Sequence, residues 1–213
     1  MNKKYEFTGE EKVIDTHTLH RIRAVRDFGV VKAGDLGGWI EGEDNLSHDG
    51  YAWVYGEALV EGNAFVEGNA RVGGNARVSG NALVTGNTLV SDAAWVYGDA
   101  RVKGNTYVGG DARVGGNAWV DGNANVSGDA RVTGNAQVKG CADFSIIGGF
   151  GRFFRTTTFF RCQDGKVRMQ CGCFYGDLNE FRAKVKETHG ESKMAKEYLM
   201  IADLMEMHFA KER

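Results

Sequence analysis

Residues 60–83 read VEGNAFVEGNARVGGNARVSGNAL, and the same six-residue period runs from Val54 to Asp143. The consensus is Val-x-Gly-Asn-Ala-x over fifteen hexads, with Val at every first position and Ala at every fifth position except Thr88 and Thr106. The third position is Gly except at Asp92. A fixed period of this kind decides the fold, because each repeat is one structural unit that must stack on its neighbours.

Each hexad divides into a strand and a corner. Ala-x-Val-x alternates apolar and variable residues, which is typical of a short strand with Ala and Val facing inward. Gly-Asn follows, and these residue types adopt positive φ most readily, so they predict a corner. Three hexads would close a triangular coil of about 18 residues, and about five coils would stack roughly 4.8 Å apart. The corner Asn side chains would then form hydrogen-bonded ladders.

This pattern resembles that of the hexapeptide-repeat proteins, in which an aliphatic residue is followed four positions later by a small one. Val and Ala at the first and fifth positions match that family, whereas the Gly here lies two residues after the aliphatic position instead of one. The resemblance implies an all-β left-handed parallel β-helix with triangular coils. We assign the solenoid to residues 40–143, preceded by a β-rich cap over residues 1–39.

The segments that lead into the hexads carry a second resemblance. Residues 22–28, 31–40, 46–47 and 53–55 are similar to the start of the YdcK-like β-solenoid proteins, many of which belong to bacterial or prophage genomes. The similarity covers about the first two thirds of the chain. It implies the fold and little about function, because YdcK-like proteins are called transferases only by analogy with hexapeptide enzymes.

The N-terminal segment predicts a cap for the open end of the solenoid, which would otherwise expose unpaired strand edges. Residues 4–7 and 12–15 flank the turn signal at residues 8–11, which predicts a hairpin, and residues 19–25 predict a third strand. His48 falls where the first Val of an irregular hexad is expected. We interpret it as a cap residue in an imperfect first coil.

The period ends at Phe144, and residues 144–213 predict a small α+β domain. Residues 155–163 and 166–174 flank Asp164-Gly165, a hairpin signal that pairs Cys162 with Val167. This register puts five side chains on one face: Phe160, Cys162, Val167, Met169 and Cys171. A capping box at Asp177 begins one helix that ends at Gly190, and Ser192 begins another.

The four cysteines do not predict a metal site. Cys162, Cys171 and Cys173 could suggest zinc, but Cys162 and Cys171 would lie roughly 13 Å apart along the hairpin. We expect Cys141, in the last corner, to be a free thiol packed under the C-terminal domain. Cysteines without an export signal suit a reducing cytosol, so we expect a cytoplasmic protein.

Charge and hydropathy limit the classes of partner that we expect the protein to bind. The formal net charge of −2 divides into +1 for residues 1–39, −6 for residues 40–143 and +3 for residues 144–213. An acidic solenoid argues against tracking of nucleic-acid phosphates. No apolar run approaches membrane-spanning length, so no membrane partner is predicted.

The sixth hexad position points outward beside Val, and every third hexad shares a face. The three resulting ladders are Leu59, Arg77, Trp95, Arg113 and Arg131; Phe65, Leu83, Arg101, Trp119 and Gln137; and Trp53, Arg71, Leu89, Tyr107 and Asn125. Arg77 and Arg113 should flank Trp95 in cation–π contacts. Such ladders either stabilise the sheet or form an interface, since Trp, Tyr and Arg are enriched at binding hot spots.

The second C-terminal helix offers another interface. Met194, Tyr198, Ala202, Met205 and Phe209 form one apolar face, and Leu199, Leu204 and Met207 form most of another. A helix that is apolar on two faces packs on more than one surface. Our predicted binding residues are therefore Arg77, Trp95, Arg113, Arg101, Trp119, Tyr107, Tyr198, Met205 and Phe209.

The enzymatic functions of this fold lack their residues in the coils. Residues 54–143 contain neither a His nor an insertion, whereas acyltransferases of this fold use both and a γ-class carbonic anhydrase needs three His ligands. Outward Thr ladders for ice binding are also absent from these hexads.

The sequence favours a non-enzymatic binding or assembly protein without cofactor or metal. It would form a homo-oligomer with a protein partner and, if phage-encoded, could inhibit a host defence protein. The alternative is an acyl- or acetyltransferase with His48 or His189 as base at a subunit junction.

Overall fold

The computed structural model describes residues 3–152 and 154–210. Three sheets of parallel strands form a β-solenoid, and an antiparallel sheet with two helices forms the C-terminal module. The N-terminal strands are β1 (Tyr5–Ile14), β2 (His17–Ala24) and β3 (Leu36–Ile40). The repeat strands are β4 (Trp53–Val54), β5 (Leu59–Val60), β6 (Phe65–Val66), β7 (Arg71–Val72), β8 (Arg77–Val78), β9 (Leu83–Val84), β10 (Leu89–Val90), β11 (Trp95–Val96), β12 (Arg101–Val102), β13 (Tyr107–Val108), β14 (Arg113–Val114), β15 (Trp119–Val120), β16 (Asn125–Val126), β17 (Arg131–Val132) and β18 (Gln137–Val138). The C-terminal elements are β19 (Phe144–Phe150), β20 (Arg155–Arg161), β21 (Val167–Cys171), β22 (Phe174–Asp177), α1 (Leu178–His189) and α2 (Lys193–His208).

The predicted stacking of every third hexad is confirmed. Each repeat strand pairs in parallel with the strand one coil further on, so that Val96 lies between Val78 and Val114. The strands of the three faces follow one another as β5-β8-β11-β14-β17, β4-β7-β10-β13-β16 and β6-β9-β12-β15-β18. The Val side chains at the first position are fully buried, and the fifth-position Ala side chains from Ala58 to Ala136 are at most 1% exposed. Thr88 and Thr106 replace Ala at two of the fifth positions. Their hydroxyl groups form a hydrogen bond with each other, with the Oγ1 atoms 3.0 Å apart.

The corners also form as the hexads predict. The third-position Gly residues from Gly56 to Gly134 have φ between 64° and 83°, and Asp92 takes the same conformation with φ 60°. Side-chain amides join neighbouring coils, as in the ladder Asn69, Asn87, Asn105 and Asn123 with Nδ2–Oδ1 distances of 2.8–3.2 Å. These bonds pair amides that would otherwise compete with the backbone at each corner.

The stack begins one irregular coil earlier than the hexads, which gives about six turns. Trp39 pairs in parallel with Leu59, and Leu46 forms a bridge with Val66. Leu46 therefore occupies the first-position slot, and the expectation that His48 does so is wrong. The chain from Leu46 to Val54 is two residues longer than a hexad, so it bulges and leaves His48 outside the rung.

The predicted N-terminal turn at residues 8–11 is also wrong. Strand β1 continues through it with a register shift between Phe7 and Glu11, where Gly9 has φ 90°. The chain instead reverses at Asp15 and Thr16, between the paired residues Ile14 and His17. Asp15 has φ 53°, a conformation that Asp tolerates, so the Gly9 segment serves as a bulge. The expected strand at residues 19–25 corresponds to the end of β2, which stops one residue earlier at Ala24.

The C-terminal hairpin differs from its prediction by one residue. Val167 pairs with Arg161, not with Cys162, because residues 163–165 form a three-residue loop that closes with Gly165 at φ 79°. A one-residue shift exchanges the two faces of a strand. Phe160 and Cys162 consequently belong to the solenoid core, while Phe159 and Met169 pack with the helices.

Both helices begin, and α1 ends, where the sequence predicts. The Asp177 carboxylate accepts from the Glu180 N–H at 2.9 Å, and Glu180 Oε2 accepts from the Asp177 N–H at 2.7 Å. Helix α1 ends before Gly190, and the Ser192 hydroxyl accepts from Ala195 N–H at the start of α2. Cys141 is exposed, so our expectation that it packs under this domain is wrong. No helix of residues 3–152 and 154–210 is long and apolar enough to span a membrane.

Side chains from the caps satisfy backbone groups that have no coil beyond them. The Ala70 carbonyl accepts from Trp53 one coil below, and the equivalent Ala52 carbonyl of the first coil accepts from Lys4 Nζ at 2.8 Å. The Tyr5 hydroxyl donates to the Leu46 carbonyl at 2.9 Å. At the other end, the Thr158 hydroxyl accepts from the Arg131 N–H at 2.9 Å. The caps thus replace hydrogen bonds that each end would otherwise lack.

We expect Val96→Asp to lower the free energy of unfolding by at least about 3 kcal/mol, because it places a carboxylate in the dry centre of the stack. Denaturant unfolding followed by circular dichroism measures the loss. Asn125→Asp, at an exposed outward position, is the control and should change the value by no more than about 0.5 kcal/mol. Equal stability of the two variants would contradict the filled interior.

Lys4 predicts a pH dependence of stability. Burial lowers the pKa of Lys4 from 10.5 to about 8. Between these values the unfolded chain binds a proton that the folded chain releases, so the free energy of unfolding rises with pH. Between pH 8 and 9.5, we expect the free energy of unfolding of the wild-type protein to rise by about 1–2 kcal/mol relative to that of Lys4→Met. Denaturant unfolding of both proteins across this pH range tests the prediction. If their free energies of unfolding change with pH in the same way, the prediction is refuted.

Candidate functional site

A groove lies where the N-terminal cap meets the face formed by β4, β7 and β10. The N-terminal groove is defined by six of its lining residues: Phe28, Val31, Tyr51, Trp53, Tyr55 and Arg71. Its volume is about 480 Å³. An adjoining cleft of about 460 Å³ shares Tyr51, Tyr55 and Arg71 and continues past Asn69 and Asn87 to Leu89. Large concave surfaces of this kind are the usual location of binding sites.

A short loop of the cap forms one wall. Phe28 and Val31 exchange backbone hydrogen bonds of 3.0 and 2.9 Å, which leaves Gly29 and Val30 at the tip of the turn. Gly29 has φ 52°, and the Tyr51 ring packs against it. Hydrogen bonds from the Ala33 N–H and the Lys32 side chain hold Asp27, and they lower the pKa of its carboxyl group. This wall is therefore fixed by bonds within the loop.

The floor consists of aromatic rings that lie along the coils. Trp53 is only 5% exposed and meets Phe28 edge to face, with ring centroids 5.3 Å apart. The Tyr55 ring lies on Gly73 of the next coil, where an added Cβ would collide with it. Tyr97 lies on Gly115 in the same way on another face. In both cases the Gly lies 18 residues after the Tyr, and its lack of a Cβ leaves room for the ring.

Arg71 supplies the positive charge of the groove. Its side chain is exposed and projects from β7 between Trp53 and Leu89 in the neighbouring coils. Among the residues that the structure describes, its guanidinium group forms neither an ion pair nor a hydrogen bond. The equivalent Arg77 on another face bonds Glu61 through Nε at 2.9 Å and also contacts Asp15. Arg71 is therefore the member of this pair that remains available to a bound anion.

The predicted contacts of Trp95 are confirmed. The guanidinium groups of Arg77 and Arg113 lie 5.5 and 5.8 Å from its ring centroid. The indole N–H donates to the Ser79 hydroxyl at 3.0 Å, and the Tyr97 ring is 4.8 Å away. These contacts occupy most of the Trp95 side chain, which is half-buried as a result, so the stack stabilises this sheet whether or not it also binds a partner.

The other predicted surface residues are distributed over two faces. Arg101 is exposed and in register with Trp119, but the cation over the Trp119 ring is Lys103, whose Nζ is 4.8 Å from the centroid. Tyr107 lies on the groove face two coils beyond Arg71, and its hydroxyl donates to Asp92 at 2.9 Å. Hydrogen bonds from the Gly110 N–H and from Tyr107 lower the pKa of Asp92.

The C-terminal binding residues need a correction. Met205 and Phe209 are each 4% exposed and belong to the core between the helices and the sheet, so they cannot be surface contacts. Tyr198 is half-buried and stacks with His189 at a centroid distance of 5.9 Å. The exposed apolar side chains of α2 are Met200, Leu204 and Met207. The sequence showed two apolar faces, and only the packing decides which of them is inside.

The two candidate catalytic histidines lie in different parts of the molecule. His48 stacks on Tyr5 with centroids 4.3 Å apart, its Nδ1 accepts from the Lys4 N–H at 3.2 Å, and burial lowers its pKa. His189 ends α1 in the C-terminal module. His48 lies at the first coil and His189 lies in the C-terminal module beyond the last coil, so the two histidines cannot share a site within one chain.

The cysteine side chains do not come together in one site either. The observed register puts Cys162 in the solenoid core and pairs Cys171 with Thr157 on the helix side. Within residues 3–152 and 154–210, no group of three or more His, Cys, Asp or Glu side chains is placed to hold a metal ion. Burial raises the pKa of the Cys162 thiol, which suits a packing role.

Comparisons with known proteins identify the repeats. A family model described as the YdcK beta solenoid repeat matches residues 70–84, 76–92 and 124–140. These matches fall on the coils of β7–β10 and β16–β18, and they confirm the family of the repeat that the sequence suggested. The comparison with curated proteins finds no match.

The contrast between Arg71 and Arg77 gives a prediction. Arg77→Gln should lower the free energy of unfolding by about 2 kcal/mol or more, because it leaves the buried Glu61 carboxylate without its cation. Arg71→Gln removes an unpaired guanidinium and should change it by no more than about 0.5 kcal/mol. Denaturant unfolding of both variants measures this. A similar loss for Arg71→Gln would mean that Arg71 already has a structural partner.

Proposed function

We propose that this chain, whose coils are YdcK β-solenoid repeats, is a non-enzymatic binding and assembly protein. The observation that carries the proposal is the N-terminal groove, which combines apolar walls, aromatic rings and the Arg71 guanidinium group, unpaired among residues 3–152 and 154–210. Its titratable side chains include no His, and the carboxylate of Asp35 is bonded to the Lys32 N–H at 2.8 Å. These groups suit recognition, whereas acyl transfer needs a general base beside the reacting group.

The solenoid supports this proposal by its stiffness. Its interior is filled by Val and Ala, and its coils keep one register from residue 54 to residue 138. A stack in which each repeat contacts only its neighbours holds its two ends at a fixed separation. The groove at the first coils and the module at the last would lie about 20 Å or more apart, so a partner engaged at both would be held in one geometry.

A protein is the partner that this surface favours. Aromatic and Arg side chains are the residues most often found at the centre of protein interfaces. The net charge of −6 over residues 40–143 disfavours nucleic acid. The segments that lead into the hexads resemble YdcK-like proteins, many of which belong to bacterial or prophage genomes, and this extends the proposal to a phage-encoded protein that binds a host protein.

Self-association through α2 is part of the proposal. Met200, Leu204 and Met207 are 71%, 49% and 69% exposed and occupy neighbouring turns of the helix. Met side chains adapt well to an opposing surface. A homo-oligomer would bury this strip and present several grooves from one assembly.

Three measurements on the intact chain test the proposed function. In the first, coenzyme A and acetyl-coenzyme A are titrated into labelled protein while its NMR spectrum is recorded, and we expect no saturable shift. In the second, a photo-crosslinking phenylalanine analogue replaces Tyr51 in the groove or Trp95 on the aromatic ladder in producing cells. We expect a discrete adduct with a protein, and light scattering of the purified chain should report an oligomer.

The outcomes separate the candidate functions. Saturable coenzyme A binding together with acetyl transfer that is lost in His48→Ala or His189→Ala would replace the proposal with the transferase alternative. Adducts from Trp95 alone would assign binding to the ladder instead of the groove. Failure of both positions to form any adduct would contradict the binding function.

A further inference from the structure

We infer that the N-terminal groove recognises an extended peptide segment of a partner protein, in which an apolar side chain and a carboxylate lie two residues apart. The inference rests on the proposed binding function and names the chemistry of the partner. It follows from the arrangement of the groove: an apolar compartment under the cap loop and a free guanidinium one coil further along.

The cap end of the groove fits an apolar side chain. Trp53 and Phe28 form its buried base, and Val30 and Leu36 stand at its rim with 70% and 53% of their surfaces exposed. Exposed aliphatic residues around a buried aromatic base are typical of a surface that a partner covers. Burying one Leu- or Phe-sized side chain there would remove its apolar surface from water and so stabilise the complex.

The Arg71 end fits a carboxylate. Its guanidinium has no partner among the described residues, and a planar fork of this kind binds carboxylates in bidentate fashion. Arg71 lies one coil from Trp53, a step of about 4.8 Å, while side chains two residues apart on an extended peptide are separated by about 6.6 Å. Asp35 lies at the cap end and would repel a carboxylate there, which fixes the direction of the peptide.

The groove continues in a way that suits a peptide backbone. Beyond Arg71 it runs along Asn69 and Asn87, the lower members of an amide ladder. The Asn69 Nδ2 donates to Asn87, and within the part of the chain described, its Oδ1 accepts no hydrogen bond. That oxygen offers an acceptor to a peptide N–H. The acidic solenoid would repel further acids, so the segment should carry a single carboxylate between neutral or basic residues.

The decisive experiment uses the intact chain and two capped pentapeptides, acetyl-Ser-Phe-Ser-Glu-Ser-amide and its counterpart with Gln in place of Glu. Binding is followed by NMR through the indole N–H signals of the four tryptophans. We expect a saturable shift of the Trp53 signal with the Glu peptide. The Gln peptide should bind about fivefold more weakly, because it lacks the ion pair with Arg71.

Matched variants assign the contact to its residues. Arg71→Gln should abolish the preference for Glu over Gln, whereas Arg131→Gln, at the equivalent exposed position of another face, should retain it. Gly73→Ala should weaken both peptides, because the new Cβ displaces the Tyr55 ring. Gly115→Ala displaces Tyr97 in the same way and should leave both affinities unchanged. Neither glycine has a positive φ, so alanine strains neither backbone.

Several outcomes would overturn the inference. Equal affinity for the two peptides, or a preference that survives Arg71→Gln, would remove the carboxylate from the recognised motif. Acetyl-glutamate binding as tightly as the peptide would indicate a site for a small carboxylate. If neither peptide shifts the Trp53 signal while Tyr51 still forms an adduct with a protein, the peptide chemistry is wrong and the binding function stands. If neither peptide shifts the Trp53 signal and neither Tyr51 nor Trp95 forms an adduct, the binding function fails as well.

Discussion

The whole molecule depends on Val lying on Val from one coil to the next. A two-residue strand has no stability of its own, and it persists here because its Val is buried between the equivalent residues of two neighbouring coils. The Gly corners allow this stacking because they turn the chain at positive φ with no side chain in the path of the next corner. Every other contact along the rod follows from the resulting rule that residues 18 apart are neighbours.

The regular stack leaves backbone groups at each end without a neighbouring coil to bond to, and the two caps bond to them with different side chains. The first coil leaves carbonyl oxygens without a donor, and a buried Lys and a buried Tyr supply one each. Placing the Lys4 amine there lowers its pKa, so the contact that seals the end is also the one that couples stability to pH. The last coil is covered by β20, where Thr158 accepts a backbone hydrogen bond and Phe160 extends the apolar column.

A smooth rod offers little concavity, and the groove exists because the cap loop rises beside one of the three faces. Coils alone would leave Tyr51, Tyr55 and Arg71 on a flat sheet. The wall formed by the turn from Phe28 to Val31 converts that sheet into a compartment with one apolar end and one cationic end. The ladder of Arg77, Trp95 and Arg113 is different, since its members satisfy one another and Glu61 and so contribute chiefly to the sheet.

The sequence by itself determined the coils, the ladders on each face and the cations beside Trp95, because a strict period fixes which residues are neighbours. It also determined both helix starts, since capping is local chemistry. It did not determine the turn at Asp15, the rung position of Leu46 or the hairpin register at Arg161, because more than one local signal competes where the period is absent. Only the tertiary structure decided that Met205 and Phe209 are inside and that Arg71, which has no partner among the described residues, lies beside an aromatic groove. Burial and pairing of this kind depend on which surfaces meet, and residues distant in sequence bring those surfaces together.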